Sequence, residues 1–404
     1  PPFPLLAYID SCLVQKNCAL LHGQTKFPST TRNSLPVQPA KNSKIRLGFY
    51  SADFHNHPVM HLLAETFEAL DKDRFELAAF SFGPDSEGAW RQRLRDSFDQ
   101  FIDVKDMTDT QVAQLSRDMG IHIAIDLMGY TENNRVGIFG ERAAPVQAKW
   151  IGYSGTMGVD FIDYYIADRI VIPEVKRDYY TEKIVYLPDC YQPNGRLSPH
   201  SKHSLQRADY NLPEAAFVFC SFNSHYKIIP DVFYSWMRIL QQVPESVLWL
   251  YAGNETAKKN LDSTVKEFGL SPDRLIFADM VPLSEHLQRQ RLADLFLDTY
   301  PYNGGATSSN ALRSGLPILT RSGETFPSRI SASLLHAAGV PELITTSRQQ
   351  YEAEAVRLAA NPDPLASIRQ KLRNGLASSP LFDTMRFTRD LETALEMMYA
   401  RHLD

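Results

Sequence analysis

Three observations predict two α/β units in tandem, each a parallel sheet flanked by helices. Short apolar runs alternate with amphipathic segments from Lys44 onward, the pattern of successive βαβ units. Residues 189–214 break that pattern with Pro, Ser, Asn and His and no periodicity, and the same grammar then resumes. The chain has 404 residues, 44% hydrophobic and 22% charged, which is enough to bury two cores of ordinary size. These observations place an irregular segment at 1–44, a first Rossmann-like domain at 45–205, a second at 206–380 and a C-terminal helix at 381–404.

In chain order, residues 1–44 carry Pro28, Pro36 and Pro39 among Ser, Thr and Asn, and are expected to be irregular. Ile45–Tyr50 reads as the first strand, and Pro58 opens a helix with Met60, Leu63, Ala64 and Phe67 on one stripe. Phe75–Phe82 is a second strand and Trp90–Phe98 a helix. Further strands are expected at 121–128, 146–151, 163–167 and 183–187. The second half opens with strand Phe217–Phe222, and Pro230 then starts a helix with Phe233, Trp236, Met237 and Leu240 on one face. Val247–Ala252, Leu275–Ala278, Leu295–Asp298, Ile318–Thr320 and Leu343–Thr346 follow as strands. From Tyr351 the pattern is mostly helical, ending in a stripe of Phe387, Leu391, Ala394, Leu395 and Met398. Two such units are expected to meet across a cleft, with ligands beyond the carboxyl ends of their strands.

Composition narrows the function. A net charge of −5 gives no nucleic-acid or acidic-membrane surface, and no apolar run approaches the ~20 residues of a membrane span. The chain starts Pro1-Pro2-Phe3-Pro4 without a Met or a secretory signal, and reads as a fragment. Four scattered cysteines, Cys12, Cys18, Cys190 and Cys220, fit thiols in a reducing, cytoplasmic compartment. There is no GxGxxG after the first strand and no GxxxxGK[ST], which disfavours a simple dinucleotide fold or a P-loop enzyme.

The stretch Leu295–Leu312 is the most informative. A short strand is stopped by Pro301, Asn303, Gly304 and Gly305, and Thr307-Ser308-Ser309-Asn310 then leads into a helix closed by Gly315 and Pro317. Exposed N–H groups at the positive end of a helix dipole suit a phosphate or diphosphate, and the hydroxyls of this cluster can satisfy some of those groups. An ordinary βα turn reads the same way. Lys227, at the end of the strand 217–222, is either a solvated loop charge or a point charge facing an anion. His55, His57 and His61 crowd seven residues of the first βα loop, but the spacing matches no metal site, so no metal ligands are assigned. His57 alone suits a general base or a phosphate contact, or a loop role without chemistry. His286 and Arg289 lie one turn apart on a helix, either under a base or ribose or on a solvated face. The loop Gly152–Gly158 can approach a ligand with its backbone.

The segments Ala143–Thr156, Phe222–Ile228, Val243–Leu250 and Tyr302–Gly305 resemble the catalytic region of protein O-linked N-acetylglucosamine transferases, glycosyltransferase family 41. So do the opening Arg46–Phe54 followed by His57-Pro58, and Gly323–Phe326 with Arg329, in order and with bacterial-type spacing from about residue 45 to 400. The resemblance implies a GT-B fold. It also implies an inverting, metal-independent enzyme moving a sugar from a UDP-sugar, usually UDP-N-acetylglucosamine, to Ser or Thr of proteins, with no cofactor. It implies that Lys227 holds the donor diphosphate, that His57 is a base or active-site contact and that Tyr226 is an active-site tyrosine. Val281, Pro282, His286 and Arg289 fall on the uridine side. Gly304, Gly305, Ala306, Thr307 and Asn310 fall on the diphosphate and ribose side, with Asn223 beside them. The family's commoner form has His at 305, Thr at 306 and Asp at 310, so this chain lacks one hydroxyl and one carboxylate there. No 34-residue period marks the family's tetratricopeptide repeats. Three alternatives stay open: an asparagine glucosyltransferase using UDP-glucose, a UDP-binding module without catalysis, and a GT-B enzyme acting on lipid or glycan acceptors.

Overall fold

A computed structural model describes residues 1–27, 44–84, 87–195, 205–251, 253–376 and 378–403. The chain divides into two compact units, Pro1–Arg196 with Pro380–Asp404, and Leu197–Ser379.

The first unit begins with a 3₁₀ helix (Phe3–Ala7) and helix α1 (Cys12–Lys26), where the sequence predicts no regular structure. Its order is then β1 (Ile45–Ser51), α2 (Pro58–Ala69), β2 (Phe75–Ser81), α3 (Ala89–Ser97), β3 (Gln100–Asp103), α4 (Asp109–Asp118), β4 (Ile123–Asp126), α5 (Gly137–Gly140), β5 (Val146–Lys149), β6 (Tyr164–Asp168) and β7 (Lys183–Leu187). The seven strands form one parallel sheet in the order β3-β2-β1-β4-β5-β6-β7. Helices cover both faces of such a sheet, so its central strands are apolar on both sides. Leu47, Phe49 and Tyr50 of β1 and Ile123, Ala124 and Ile125 of β4 have no solvent exposure.

The buried face of α1 explains why periodicity missed it. That face is Gln15, Ala19 and Gly23, while Leu13, Val14 and Leu21 point outward. Small residues let the backbone come close: a Cβ on Gly23 would sit 2.6 Å from the Gly158 carbonyl oxygen. The proline-rich residues 28–43 lie outside the described residues.

The second unit runs β8 (Phe217–Ser221), α6 (Pro230–Gln242), β9 (Ser246–Tyr251), α7 (Glu255–Glu267), β10 (Leu275–Ala278), α8 (Leu283–Arg289), β11 (Leu295–Leu297), α9 (Ala306–Arg313), β12 (Ile318–Arg321), α10 (Ile330–Ala337), β13 (Ile344–Thr345), α11 (Arg348–Ala360) and α12 (Pro362–Gly375). Its parallel sheet has the order β10-β9-β8-β11-β12-β13. The chain travels outward from β8 to β10, then returns to β11 and travels the other way. The strand order therefore reverses between β8 and β11, and at that switch point the carboxyl ends of adjacent strands open a crevice.

Helix α13 (Thr384–Leu403) belongs to the first unit. Thr384 donates to Glu65 at 2.8 Å, Arg74 pairs with Glu392 at 2.9 Å and Phe387 stacks on Trp150. Among the described residues no helix is long and apolar enough to cross a membrane.

Candidate functional site

The crevice between β8 and β11 is built from the loops 222–229 and 298–305. Asp298, at the end of β11, ties them together. Its Oδ1 accepts from the Thr299 and Gly304 N–H groups at 2.9 and 2.8 Å and from Asn223 Nδ2 at 3.0 Å; its Oδ2 accepts from Thr320 Oγ1 at 2.7 Å. Burial pushes the Asp298 carboxyl up, and the Ser331 hydroxyl, the Gly304 N–H, the Thr320 hydroxyl and the Lys227 charge offset part of that shift. Thr299 Oγ1 accepts from Asn223 and donates to the Tyr302 carbonyl, while Asn303 Nδ2 donates to the Thr299 carbonyl. The fully buried Asn303 keeps its side-chain carbonyl without a partner among the described residues.

Lys227 lies on a 3₁₀ turn, His225–Lys227, just before Pro230 fixes the start of α6. It is buried, so the solvated loop charge is not what the fold makes of it. Its Nζ donates to the Asn303 carbonyl at 2.8 Å and stands 3.7 Å from the Tyr302 ring centroid. Among the described residues it pairs with no carboxylate, and two of its three N–H groups have no acceptor. Burial pushes its pKa down to about 8, against a weaker pull from Asp298. Tyr226 stays partly exposed, edge-on to Tyr302, with its hydroxyl pushed up to about 12 by burial.

Gly305 is the N-cap of α9 and supplies no side-chain cap to the first N–H groups of this eight-residue helix, which starts at the crevice. This corrects one expectation. The hydroxyls of Thr307-Ser308-Ser309 do not cap the helix, because the helix already begins at Ala306 and they lie inside its first turns. Ser308 is fully buried against the Ser331 hydroxyl, and Thr307 donates to Asn223 Oδ1. A Cβ on Gly304 would collide with Ser308 Oγ and lie 2.7 Å from Thr307 Oγ1, so both hydroxyls would have to turn from their partners to admit it. Asn310, one turn further, is half-buried and its amide has no partner among the described residues.

Pro282 is the N-cap of α8, with Val281 half-buried before it. His286 and Arg289 form one assembly rather than a solvated face. Arg289 is buried over the Phe222 and Trp249 rings, donates from Nη1 to the Asp279 carbonyl at 2.7 Å and from Nε to His286 Nδ1 at 3.2 Å. Burial and the neighbouring guanidinium push His286 down to about 3, so the ring is neutral and carries its proton on Nε2.

His57 belongs to the first unit, at the end of β1, where that sheet reverses between β1 and β4. It is the N-cap of α2: Nδ1 accepts the Val59 N–H at 3.3 Å and lies 3.4 Å from Asp53 Oδ2. Burial lowers His57 to about 4 and raises Asp53 to about 6. His61 bonds Asn56 instead, and among the described residues no group of three or more His, Cys, Asp or Glu is arranged to hold a metal.

Sequence reasoning missed Asp298, Thr299 and Asn303 as organisers of the site. The available signal was an acid and a hydroxyl set directly on the end of an apolar strand.

Two parallel-sheet Rossmann-like units of this kind define a GT-B glycosyltransferase fold, and comparison with known proteins gives the family. The model for glycosyl transferase family 41 matches residues 10–196 and 192–391, and the chain belongs to that family. It is 35% identical over 412 residues, all of this chain, to a probable UDP-N-acetylglucosamine–peptide N-acetylglucosaminyltransferase, SEC, of Arabidopsis thaliana. It is 28% identical over 93% of its length to the UDP-N-acetylglucosamine–peptide N-acetylglucosaminyltransferase of Caenorhabditis elegans. The chain spans 42% of the length of each of these relatives. Among solved structures, a mutant of the Thermobaculum terrenum O-GlcNAc transferase superposes with a TM-score of 0.90 at 29% identity, covering 98% of this chain and 76% of that one.

Proposed function

We propose that this chain moves a sugar from a UDP-sugar, most directly UDP-N-acetylglucosamine, to Ser or Thr hydroxyls of proteins by a single inverting displacement that needs no metal. The observation that carries this reading is the buried Lys227 ammonium, without a carboxylate partner among the described residues, beside the start of α9, which has no side-chain cap from Gly305. Breaking a glycosyl–UDP bond leaves negative charge on the diphosphate. An ammonium and fixed helix N–H groups receive that charge without reorganising. Asn310 is free to bond a ribose hydroxyl. His286 can donate from Nε2 toward the nucleoside, held by an Arg289 already locked to Asp279.

His57 acts on the acceptor side in this reading. Capped as it is, it carries its proton on Nε2 and donates. It becomes a base at Nε2 when the proton moves to Nδ1, where Asp53 Oδ2 can accept it. The relatives named for peptide transfer support a protein acceptor.

UDP release from UDP-N-acetylglucosamine and from UDP-glucose, with intact-mass analysis of acceptor proteins, tests the proposal. We expect a mass gain of one N-acetylhexosamine on Ser or Thr, unchanged by a chelator and abolished in Lys227→Met. Preference for UDP-glucose with modified Asn would move the chain to the asparagine glucosyltransferase reading. Collapse of turnover with chelator would overturn metal independence.

A further inference from the structure

The second unit holds another cavity, of about 350 Å³, which includes neither Lys227 nor any residue of α9. It lies between the first turns of α6 and α11 and the ends of β11 and β12, and Tyr300 and Arg321 form part of its wall. Its volume falls within the ~300–1,000 Å³ of small-molecule sites.

The cations of this cavity are short of partners. Arg321, on the last residue of β12, has its guanidinium carbon 3.8 Å from the Tyr300 ring centroid. It makes no ion pair or hydrogen bond among the described residues, and its Nε is buried without an acceptor. A guanidinium carries five donors in a fixed fork, and desolvating them without acceptors is costly. Among the described residues Arg348, the first residue of α11, reaches only Glu352, at 3.9 Å, and Arg238 already holds Glu352 at 2.6 Å. The Ser347 side chain accepts from Gln350 N, which leaves the N–H groups of Arg348 and Gln349 at the positive end of a 13-residue helix.

The acids of the lining do not neutralise these groups. The Asp298 carboxylate is taken by Thr299, Gly304, Asn223 and Thr320, and only its backbone carbonyl, bonded by Tyr351 Oη at 3.0 Å, serves the cavity side. Asp231, in the first turn of α6, and Gln349, on α11, are exposed members of the lining. The cavity therefore offers a planar bidentate cation and a helix end, with the half-exposed guanidinium of Arg348 and the exposed hydroxyl-bonding groups of Asp231 and Gln349 also on its lining.

We infer that this cavity binds a small phosphate monoester of a polyol, such as a sugar phosphate, with the phosphate on Arg321 and the amino end of α11 and the hydroxyls on Asp231 and Gln349. The inference is independent of the proposed glycosyl transfer. Calorimetric titration with glucose 6-phosphate and with inorganic phosphate tests it, in the full chain carrying Lys227→Met so that the diphosphate crevice is silent. Glucose 6-phosphate should saturate one site, bind more tightly than inorganic phosphate, and lose at least about tenfold in affinity in Arg321→Met, as expected for a charge-assisted bidentate pair. Asp231→Asn should weaken glucose 6-phosphate and leave inorganic phosphate unchanged. UDP binding to Arg321→Met with Lys227 intact verifies that this variant folds. Equal affinity for the two probes would overturn the polyol half of the inference. No saturable binding of either, or binding indifferent to Arg321, would overturn all of it.

Discussion

If the Lys227 ammonium holds the donor diphosphate, the affinity for UDP must follow its titration. Burial brings this lysine from 10.5 down to about 8. The sign follows directly: the cation is present below that value and lost above it, so UDP binding is strong at neutral pH and weakens as pH rises. The apparent dissociation constant scales as one plus ten to the power of pH minus 8, so it should rise about tenfold, ~1.4 kcal/mol, between pH 7 and 9. Nothing else described in the crevice bends the curve in that window. His286, at about 3, is neutral throughout, and so is Tyr226, at about 12. The terminal phosphate of UDP ionises near pH ~6, before the window opens. Calorimetric titration of UDP from pH 6.5 to 9.5 would give a line that is flat and then climbs by one logarithmic unit per pH unit. Lys227→Met should bind more weakly and show no climb. A climb between pH 7 and 9 that persists in Lys227→Met, or a wild-type line flat to pH 9.5, would refute the assignment of the anion to this lysine.

Other perturbations probe the frame around it. Gly304→Ala drives a methyl into Ser308 and Thr307; we expect a loss of roughly 1–3 kcal/mol in urea unfolding and loss of UDP binding. Asp298→Asn turns one acceptor toward the Gly304 N–H or the Thr320 hydroxyl into a donor; each buried donor left unmatched costs about 1–3 kcal/mol by the same measurement. His57→Ala removes the cap of α2 and should cost ~1 kcal/mol of stability, whereas His57→Asn keeps a capping side chain and stability. Turnover lost equally in both would assign the role to the imidazole, and turnover kept in His57→Asn would reduce His57 to a cap.

Much of this was legible in the sequence because parallel strands covered on both faces leave continuous apolar runs. Ile45–Tyr50, Phe75–Phe82 and Phe217–Phe222 were readable for that reason. Strand β3 was not, because it is a short edge strand, Gln-Phe-Ile-Asp, with its ends exposed. Helix α1 was missed because its buried stripe is Gln15, Ala19 and Gly23, which no hydrophobic period detects. Lys227 could be placed at a strand's carboxyl end from sequence. Its acceptor could not, since Asn303 lies 76 residues further along the chain. The same distance problem hid the fate of Thr307: sequence shows a hydroxyl beside a helix start, and only the fold brings Asn223 to accept it, 84 residues away.

That fate changes what the departures at 306 and 310 mean. A threonine at 306 and an aspartate at 310 would each add a side-chain group at the start of α9. Here Ala306 offers none, and the Thr307 hydroxyl already has its proton on Asn223. On the proposed reading the donors left for a diphosphate are backbone N–H groups of α9 and the ammonium of Lys227, and neither depends on the side chains that differ. Asn310 exchanges a carboxylate for an amide, which keeps an acceptor for a ribose hydroxyl and removes a negative charge from the neighbourhood of an anion. On the proposed reading the substitutions fall on the ribose and on redundant hydroxyls. The groups proposed to receive charge keep the frame that Asp298 builds through Gly304, Thr299 and Asn223.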